Sequence, residues 1–410
     1  MNSGQPNASS TFSYRPAIDG LRAVSVAAVF AYHLNFDWAS GGFLGVDVFF
    51  VLSGYLITTL MLNEWAKSGS IDVFAFWGRR ARRLLPAIFL LLLFIAVYSA
   101  LLAPAQQLHS LRQSMFSTLL YMQNWWLIVE DLSYFDLYNA PSPLRHAWSL
   151  AIEEQFYIVW PLLFVAAIRL GGHLRGILVL FCSMGILASL FLMGLVYDSI
   201  DPSRAYYGTG TRSHTLMVGA ILAIFLSERY ELLNRFGRIV DVIGTFAFTG
   251  LVFFFVYFDD QSEFFYRGGS LFFSLLTALV IAATVRSQSK GLLSLFLGLT
   301  PMRKLGEISY GIYIWHWPVI VILTRSRLGI DDELLAGVQI LVTLLLSTAS
   351  YRLLECPIRH GQIGKKISVW HALVAGVILS IIILGRVVHE VCSERLEKLK
   401  VEALARPDKA

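Results

Sequence analysis

Long runs of apolar residues, separated by short polar and basic loops, dominate the chain. Each run is about 20 residues long, the length at which a helix rising about 1.5 Å per residue crosses a hydrocarbon core of about 30 Å. The predicted spans are 17–37, 42–62, 84–103, 147–168, 174–196, 213–227, 239–257, 269–285, 306–324, 334–354 and 369–388. The pattern predicts an all-α, polytopic integral membrane helix bundle.

A further apolar stretch, 114–129, is ambiguous by length alone. The loops expected on the cytoplasmic side by the positive-inside rule are 63–83, 169–175, 229–238, 286–304 and 352–366. This orientation requires the 114–129 stretch to begin and end outside. Trp125 and Trp126 near its end suit the headgroup layer, so an interfacial or re-entrant segment is predicted.

The alternation of cytoplasmic and external loops divides the chain into four parts. Residues 1–16 form a polar cytoplasmic tail without the pattern of a cleaved signal, and 17–360 form a ten-helix core. An eleventh helix follows at 369–388, and 389–410 is an extracytoplasmic tail or linker. The chain is therefore expected to be a multi-pass membrane protein with its N-terminus in the cytoplasm.

Composition supports this class. The 410 residues are 56% hydrophobic and only 15% charged. The net charge of +5 reflects basic loops on one side rather than a nucleic-acid partner. Cys182, Cys356 and Cys392 show no paired spacing, so neither a disulfide framework nor a metal site is expected.

Ionisable residues inside spans are costly and indicate function by default. The first span contains Asp19, Arg22 and His33; the last two are eleven residues apart and share a helix face, with about 16 Å between them along the axis. Asp47 enters the second span at the depth of His33 and could orient its imidazole. The alternatives are a snorkelling His33, an anchoring Arg22 and a purely structural Asp47.

A second concentration lies in PLRHAWSLAIEEQFYIVWPL. His146 stands at the helix entry, and Glu153 and Glu154 point about 100° apart, so at least one should face the protein interior. With His33 and Asp47 at the same depth, these carboxylates suggest one site.

Three further features suggest binding. Arg80 and Arg83 lie on one helix face and either bind the phosphates of a nucleotide-bearing donor or only determine topology. Tyr207 and Arg212 precede and enter a span beside a predicted cavity mouth, where aromatic and polar groups suit a sugar. His316, between two tryptophans, lies midway along its span.

These motifs resemble acyltransferase family 3, membrane enzymes that O-acylate bacterial surface glycans. The resemblance implies that the chain lies in the bacterial inner membrane. The resemblance extends from Tyr14 to Arg359, and the matching strings are YRPAIDGLRAVSV with the Arg-x10-His spacing, FLGVDVFFVLSGYLIT, RRARRLLPA, HAWSLAIEEQFYIVWP and SYGIYIWHWP.

The resemblance implies transfer of an acyl group, expected to be acetyl, from cytoplasmic acetyl-CoA or another acyl-CoA to a hydroxyl of an extracytoplasmic carbohydrate or glycolipid. His33 would be catalytic with Arg22 as its motif partner, while Arg80 and Arg83 would bind the donor. His33 either deprotonates the acceptor or takes the acyl group transiently, with Asp47 or Glu153 orienting it.

Several alternatives remain at this level. Glu154, His146, Arg212, Tyr207 and His316 are candidate acceptor contacts. Some family members continue into an SGNH-type domain, which is absent from this sequence and could be a separate partner. The competing functions are a transporter or acyl-group carrier without its own acceptor chemistry, and an inactive assembly protein.

Overall fold

The computed structural model describes residues 14–134, 141–286 and 291–359, and within these ranges all regular structure is helical, without a strand. Seven of the described helices are long and apolar enough to cross a membrane. The predicted all-α membrane bundle is confirmed, whereas the number of crossings stays a prediction. The predicted helix 369–388, the tail 389–410 and residues 1–13 lie outside the described residues.

The α-helices are numbered here along the described part of the chain. They are α1 Pro16–His33, α2 Gly45–Ser68, α3 Val73–Leu101, α4 Leu108–Leu119, α5 Gln123–Val129, α6 Ala147–Leu170, α7 Leu174–Val196, α8 Ser203–Tyr207, α9 Thr209–Arg235, α10 Gly237–Tyr257, α11 Ser270–Val285, α12 Leu292–Leu297, α13 Thr300–Glu307, α14 Ser309–Ile322, α15 Arg325–Leu328, α16 Asp332–Ser350 and α17 Cys356–Arg359.

The described residues divide into two compact units. The first comprises 14–73, 132–134, 152–286 and 291–313. Its helix α1 starts with Pro16, whose missing N–H is harmless in a first turn. Helix α2 ends at Gly69, where φ is +69° and the N–H bonds to the Trp65 carbonyl at 2.7 Å.

Two glycines allow α2 and α9 of this unit to approach closely. A Cβ at Gly54 would stand 1.8 Å from the Leu216 carbonyl oxygen, and one at Gly219 would stand 2.0 Å from the Val51 oxygen. Small residues allow such backbone contact between membrane helices. The contact fixes the positions of side chains on both helices, including Asp47 and Arg212.

The second unit comprises 74–131, 141–151 and 314–359. Within it, the ambiguous 114–129 stretch falls in two short helices, α4 of 12 residues and α5 of 7 residues. Neither reaches the roughly 20 residues of a span, which agrees with the interfacial or re-entrant prediction. Gln123 at the start of α5 donates to the Ser114 hydroxyl of α4 at 2.9 Å.

Three predicted spans differ from the structure in their bounds. The span expected at 84–103 is α3, which begins eleven residues earlier at Val73 and so contains Arg80 and Arg83. The span expected at 306–324 corresponds to α14, which begins at Ser309 because Ile308, with φ of −98° and ψ of 6°, separates it from α13. The span expected at 213–227 is part of a longer helix, α9, which is interrupted at Arg229, with φ of −118° and ψ of 19°.

Candidate active site

His33 is the last residue of α1, where it is half-exposed. Its Nε2 forms a hydrogen bond of 3.0 Å with the hydroxyl of Tyr134, a residue of the same unit 101 positions further on. The backbone N–H of Tyr134 donates to the Ser203 hydroxyl at 2.8 Å, which fixes the tyrosine. The imidazole therefore has an ordered phenol as a direct partner.

Arg22 lies three turns back along the same helix. Its Nη1 is 3.4 Å from Asp19 Oδ1, and Tyr14 donates to the other carboxylate oxygen at 2.8 Å. Because α1 is a continuous helix, Arg22 and His33 remain separated by about 16 Å along its axis. The motif residues thus lie at different levels, with His33 at the end of α1 and Arg22 in its second turn.

Asp47 of α2 and Arg212 of α9 form an ion pair of 2.7 Å, and neither side chain has any exposed surface. The second Asp47 oxygen and the Nε and Nη1 atoms of Arg212 are buried without a hydrogen-bond partner among the described residues. Burial of charge costs several kcal/mol per ion, so this pair is weak evidence for stability and is better explained by a positioning role.

Aromatic rings surround this guanidinium. Its Cζ is 4.9 Å from the centre of the Tyr206 ring and 5.1 Å from that of Phe265, distances at which ring faces attract a cation. The Tyr206 ring also packs on Tyr134, with centroids 4.7 Å apart. A continuous set of contacts therefore leads from the ion pair through two tyrosines to His33.

Both tyrosines beside Tyr134 are buried. Burial raises the pKa of Tyr206 well above its ordinary value, so this phenol is neutral. Tyr207, predicted to contact the acceptor, places its ring centroid 5.8 Å from that of Tyr134. The structure thus brings Tyr207 and Arg212 into the surroundings of His33, although both side chains are buried.

Asp47 was expected to orient His33, but its carboxylate bonds directly to Arg212, which supplies a full positive charge to a buried carboxylate. A part for Asp47 in orienting His33 stays a prediction. Glu153 accepts hydrogen bonds from Ser53 at 3.0 Å and from Tyr157 at 3.4 Å. Glu153 and Glu154 are both half-buried, in agreement with the prediction that one faces the interior.

His146 and His316 lie together in the second unit. Both are buried, and their ring centroids are 5.7 Å apart at 78°. Beside them, Arg145 lies 4.6 Å from the Trp317 ring centre, and the Trp317 indole donates to the Ser142 carbonyl at 2.8 Å. The two histidines were predicted separately, and their pairing emerges only from the structure.

Arg80 and Arg83 also belong to the second unit, on α3. Arg80 lies 5.7 Å from the Phe76 ring centre, and both Arg83 and Arg359 are close enough for their charges to act on the buried carboxylate of Glu355. Glu355 also accepts from Ser350 at 2.9 Å, and it was not anticipated from sequence. No described group of three or more His, Cys, Asp or Glu residues could hold a metal ion.

A scan against family models matches residues 15–383 to an acyltransferase domain, that of acyltransferase family 3. The chain belongs to this family. The resemblance inferred from the five motifs is thereby confirmed, and it covers nearly all of the residues that the structure describes.

Among curated relatives, this family member is 39% identical over 353 residues to the peptidoglycan O-acetyltransferase OatA of Listeria monocytogenes, covering 85% of this chain and 56% of the relative. It is 37% identical over 354 residues to the O-acetyltransferase OatA of Staphylococcus aureus, covering 84% and 57%.

It is also 44% identical over 353 residues to YrhL of Bacillus subtilis, whose name describes it provisionally as a peptidoglycan O-acetyltransferase, covering 84% and 55%. The chain therefore spans about half the length of the curated relatives it matches. No solved structure matches it.

For this family member, sequence reasoning found His33 but missed Tyr134 and Tyr206 as its surroundings. Both are tyrosines outside the long apolar helices, where phenols are too common at membrane interfaces to be singled out. Sequence reasoning also missed Asp260, which accepts a hydrogen bond from Tyr32.

Proposed function

We propose that the protein is a membrane O-acetyltransferase that moves an acetyl group from cytoplasmic acetyl-CoA to a hydroxyl of an extracytoplasmic cell-wall glycan. The observation that carries the proposal is the half-exposed His33 at a helix end, hydrogen-bonded to Tyr134 at 3.0 Å, in a member of an acyltransferase family. The names of the curated relatives favour acetyl as the acyl group and peptidoglycan as the acceptor.

The chemistry requires a group that removes a proton from the acceptor hydroxyl. His33 would take that proton, the hydroxyl oxygen would bond to the acyl carbon, and the carbon–sulfur bond to CoA would break. The imidazolium would then return the proton to the departing thiolate. Alternatively, the imidazole would attack the acyl carbon first and release CoA as a thiolate. The acceptor hydroxyl would then attack the acyl-imidazole, the acyl carbon–nitrogen bond would break, and the hydroxyl proton would pass to the thiolate or to water.

Tyr134 supports either route by limiting rotation of the imidazole. In the hydrogen bond to Tyr134, Nε2 is either the donor or the acceptor, and in a neutral ring the other nitrogen has the opposite role. The tautomer determines which nitrogen donates. The donor half of the proposal rests on Arg80 and Arg83, whose planar guanidinium groups suit the phosphates of CoA.

The test is replacement of His33 by Ala in the full chain, purified in nanodiscs that leave both faces accessible. Wild-type protein should release CoA thiol from acetyl-CoA in the presence of a pentameric N-acetylglucosamine oligosaccharide, and His33→Ala should lose at least about 100-fold of this rate. Its elution and thermal unfolding should match wild type, since a half-exposed polar group is removed.

Cells supply the matching product assay, in which mild alkali releases ester-linked acetate from purified peptidoglycan. Expression of the wild-type chain should raise this acetate, and expression of His33→Ala should not. Full activity of a well-folded His33→Ala protein would contradict the catalytic role. Ion or solute flux without any CoA release from wild type would favour the transporter.

A further inference from the structure

A second tyrosine contacts His33 from within its own helix. Tyr32 places its ring centroid 5.2 Å from the imidazole centroid, at an interplanar angle of 64°, so the two rings meet edge to face. The Tyr32 ring also lies 5.8 Å from that of Phe43. His33 is therefore held between Tyr134, through a hydrogen bond, and Tyr32, through ring packing.

Asp260 fixes the far end of Tyr32. The Tyr32 hydroxyl donates a hydrogen bond to Oδ2 of Asp260, which is 228 residues away in sequence and lies in the loop after α10. The ring of Tyr32 thus has a carboxyl partner at its hydroxyl and the imidazole against its edge.

The loop that contains Asp260 is itself tied down on both sides. Before it, the N–H of Gly41 donates to the Phe255 carbonyl at 3.0 Å, and the Ser40 hydroxyl donates to the Val256 carbonyl at 3.0 Å. After it, the Tyr266 hydroxyl donates to the backbone carbonyl of Asp260 at 3.0 Å. These bonds place the Asp260 carboxylate at a defined position relative to α1.

Asp260 is half-buried, and burial raises the pKa of its carboxyl, while the hydrogen bond from Tyr32 lowers it. The neighbouring Asp259 carboxylate raises it further. Retention of a carboxylate in this setting has a cost, because its charge is partly withdrawn from water. A loop that only needed to be closed could use a neutral residue here.

We propose that Asp260 is a positioning residue of the active site, which acts through Tyr32 to hold the imidazole of His33 in the orientation that acyl transfer requires. Tyr134 constrains one ring nitrogen, and Tyr32 constrains the plane of the ring. Correct placement of a catalytic group within about 0.5 Å supports rate more than binding. The proposal rests on the proposed function, because it assigns Asp260 a part in that chemistry.

The test compares kcat and KM for acetyl-CoA in nanodiscs, with the oligosaccharide acceptor, for Tyr32→Phe, Asp260→Ala and Asp260→Asn. Tyr32→Phe and Asp260→Ala should each lower kcat about 10- to 100-fold and leave KM within about twofold, because donor contacts are unchanged. Asp260→Asn keeps an oxygen that accepts from Tyr32, so it should recover a large part of the lost rate.

A double-mutant cycle gives a second readout. If Asp260 acts through Tyr32, the Tyr32→Phe, Asp260→Ala double variant should be no slower than the slower single variant, because both changes remove one interaction. The matched control is Glu263→Gln, a loss of charge in the same loop at an exposed residue that pairs with Arg267. Its kinetics should equal those of wild type.

Three outcomes would overturn the proposal: wild-type kinetics for Asp260→Ala, additive losses in the double variant, or a loss confined to KM. Unfolding temperatures of all variants separate these outcomes from misfolding, and Asp260→Asn keeps the test available if Asp260→Ala does not fold. Failure of the proposed function is distinguishable, since the wild-type protein would then show no CoA release that depends on His33.

Discussion

At the scale of single residues, the most demanding feature is the ion pair between Asp47 and Arg212, with both side chains fully buried. Its guanidinium is satisfied partly by the carboxylate and partly by the faces of Tyr206 and Phe265. Neither side chain has exposed surface, so the geometry favours support of the Tyr206 ring by Arg212 over direct contact with an acceptor. Its predicted substrate contact stays a prediction.

Replacement of Arg212 by Met should be strongly destabilising. It would leave the Asp47 carboxylate buried without a countercharge, a change that costs about 3–5 kcal/mol for buried pairs. The Asp47→Asn, Arg212→Met double variant removes both charges and should recover most of the unfolding temperature. The measurement is thermal unfolding in detergent.

The control is Arg325→Met, which breaks an exposed pair with Asp332 and should not change the unfolding temperature measurably. A double variant that is as unstable as Arg212→Met would show that the change in side-chain volume, rather than the unpaired charge, explains the loss of stability.

At the scale of helices, the position of this pair depends on the approach of α2 to α9. Gly54 and Gly219 bring each backbone against the other helix, and Trp160 of α6 donates to the Thr58 hydroxyl of α2 at 2.9 Å. Without a hydrophobic driving force between membrane helices, such close packing and hydrogen bonds hold them together. The register of the two helices therefore sets which polar groups meet.

Gly54→Ala should lower the unfolding temperature and the rate of CoA release together. The added Cβ would stand 1.8 Å from the Leu216 oxygen, so α2 and α9 must separate, at about 1–3 kcal/mol. Gly194→Ala in α7 is the matched control, because nothing lies within 4 Å of its added Cβ. Equal unfolding temperatures for the two variants would contradict the packing argument.

At the scale of the whole molecule, basic residues have two possible uses. They orient a membrane protein by charge alone, whereas binding of a CoA phosphate needs the planar, bidentate geometry of guanidinium. Arg80 and Arg83 fit both uses, and the nearby Glu355 carboxylate would offset part of the charge of Arg83.

The Arg80→Lys, Arg83→Lys double variant separates these uses. Orientation should be unchanged, because lysine supplies the same charge, and a cysteine at Ser68 should stay protected from reagents added outside cells. Affinity for acetyl-CoA should fall by about 1–3 kcal/mol for each lost contact, because lysine cannot form the bidentate fork.

Unchanged affinity together with unchanged orientation would mean that the two arginines are anchors. The donor site would then have to be sought elsewhere, with Arg22 as the next candidate. A protein without the added cysteine provides the labelling background, since the chain has three cysteines of its own.

Helix class, most helix bounds, the family and the candidate histidine could be predicted from sequence because they depend on local information. Span length follows from bilayer thickness, and motif spacing follows from helical periodicity. The break at Ile308 could not be predicted, because a single non-helical residue at the start of an apolar segment leaves no signal in hydropathy.

The partners of the polar residues were decided only by tertiary structure. Asp47 finds Arg212 at 165 residues' distance, His33 finds Tyr134 at 101, and Tyr32 finds Asp260 at 228. Depth in the membrane limits the possible partners of a polar residue to residues at the same level, but several carboxylates and aromatic residues share each level. Which of them meet depends on the rotation and packing of helices that are distant in sequence, and periodicity along one helix contains no information on that.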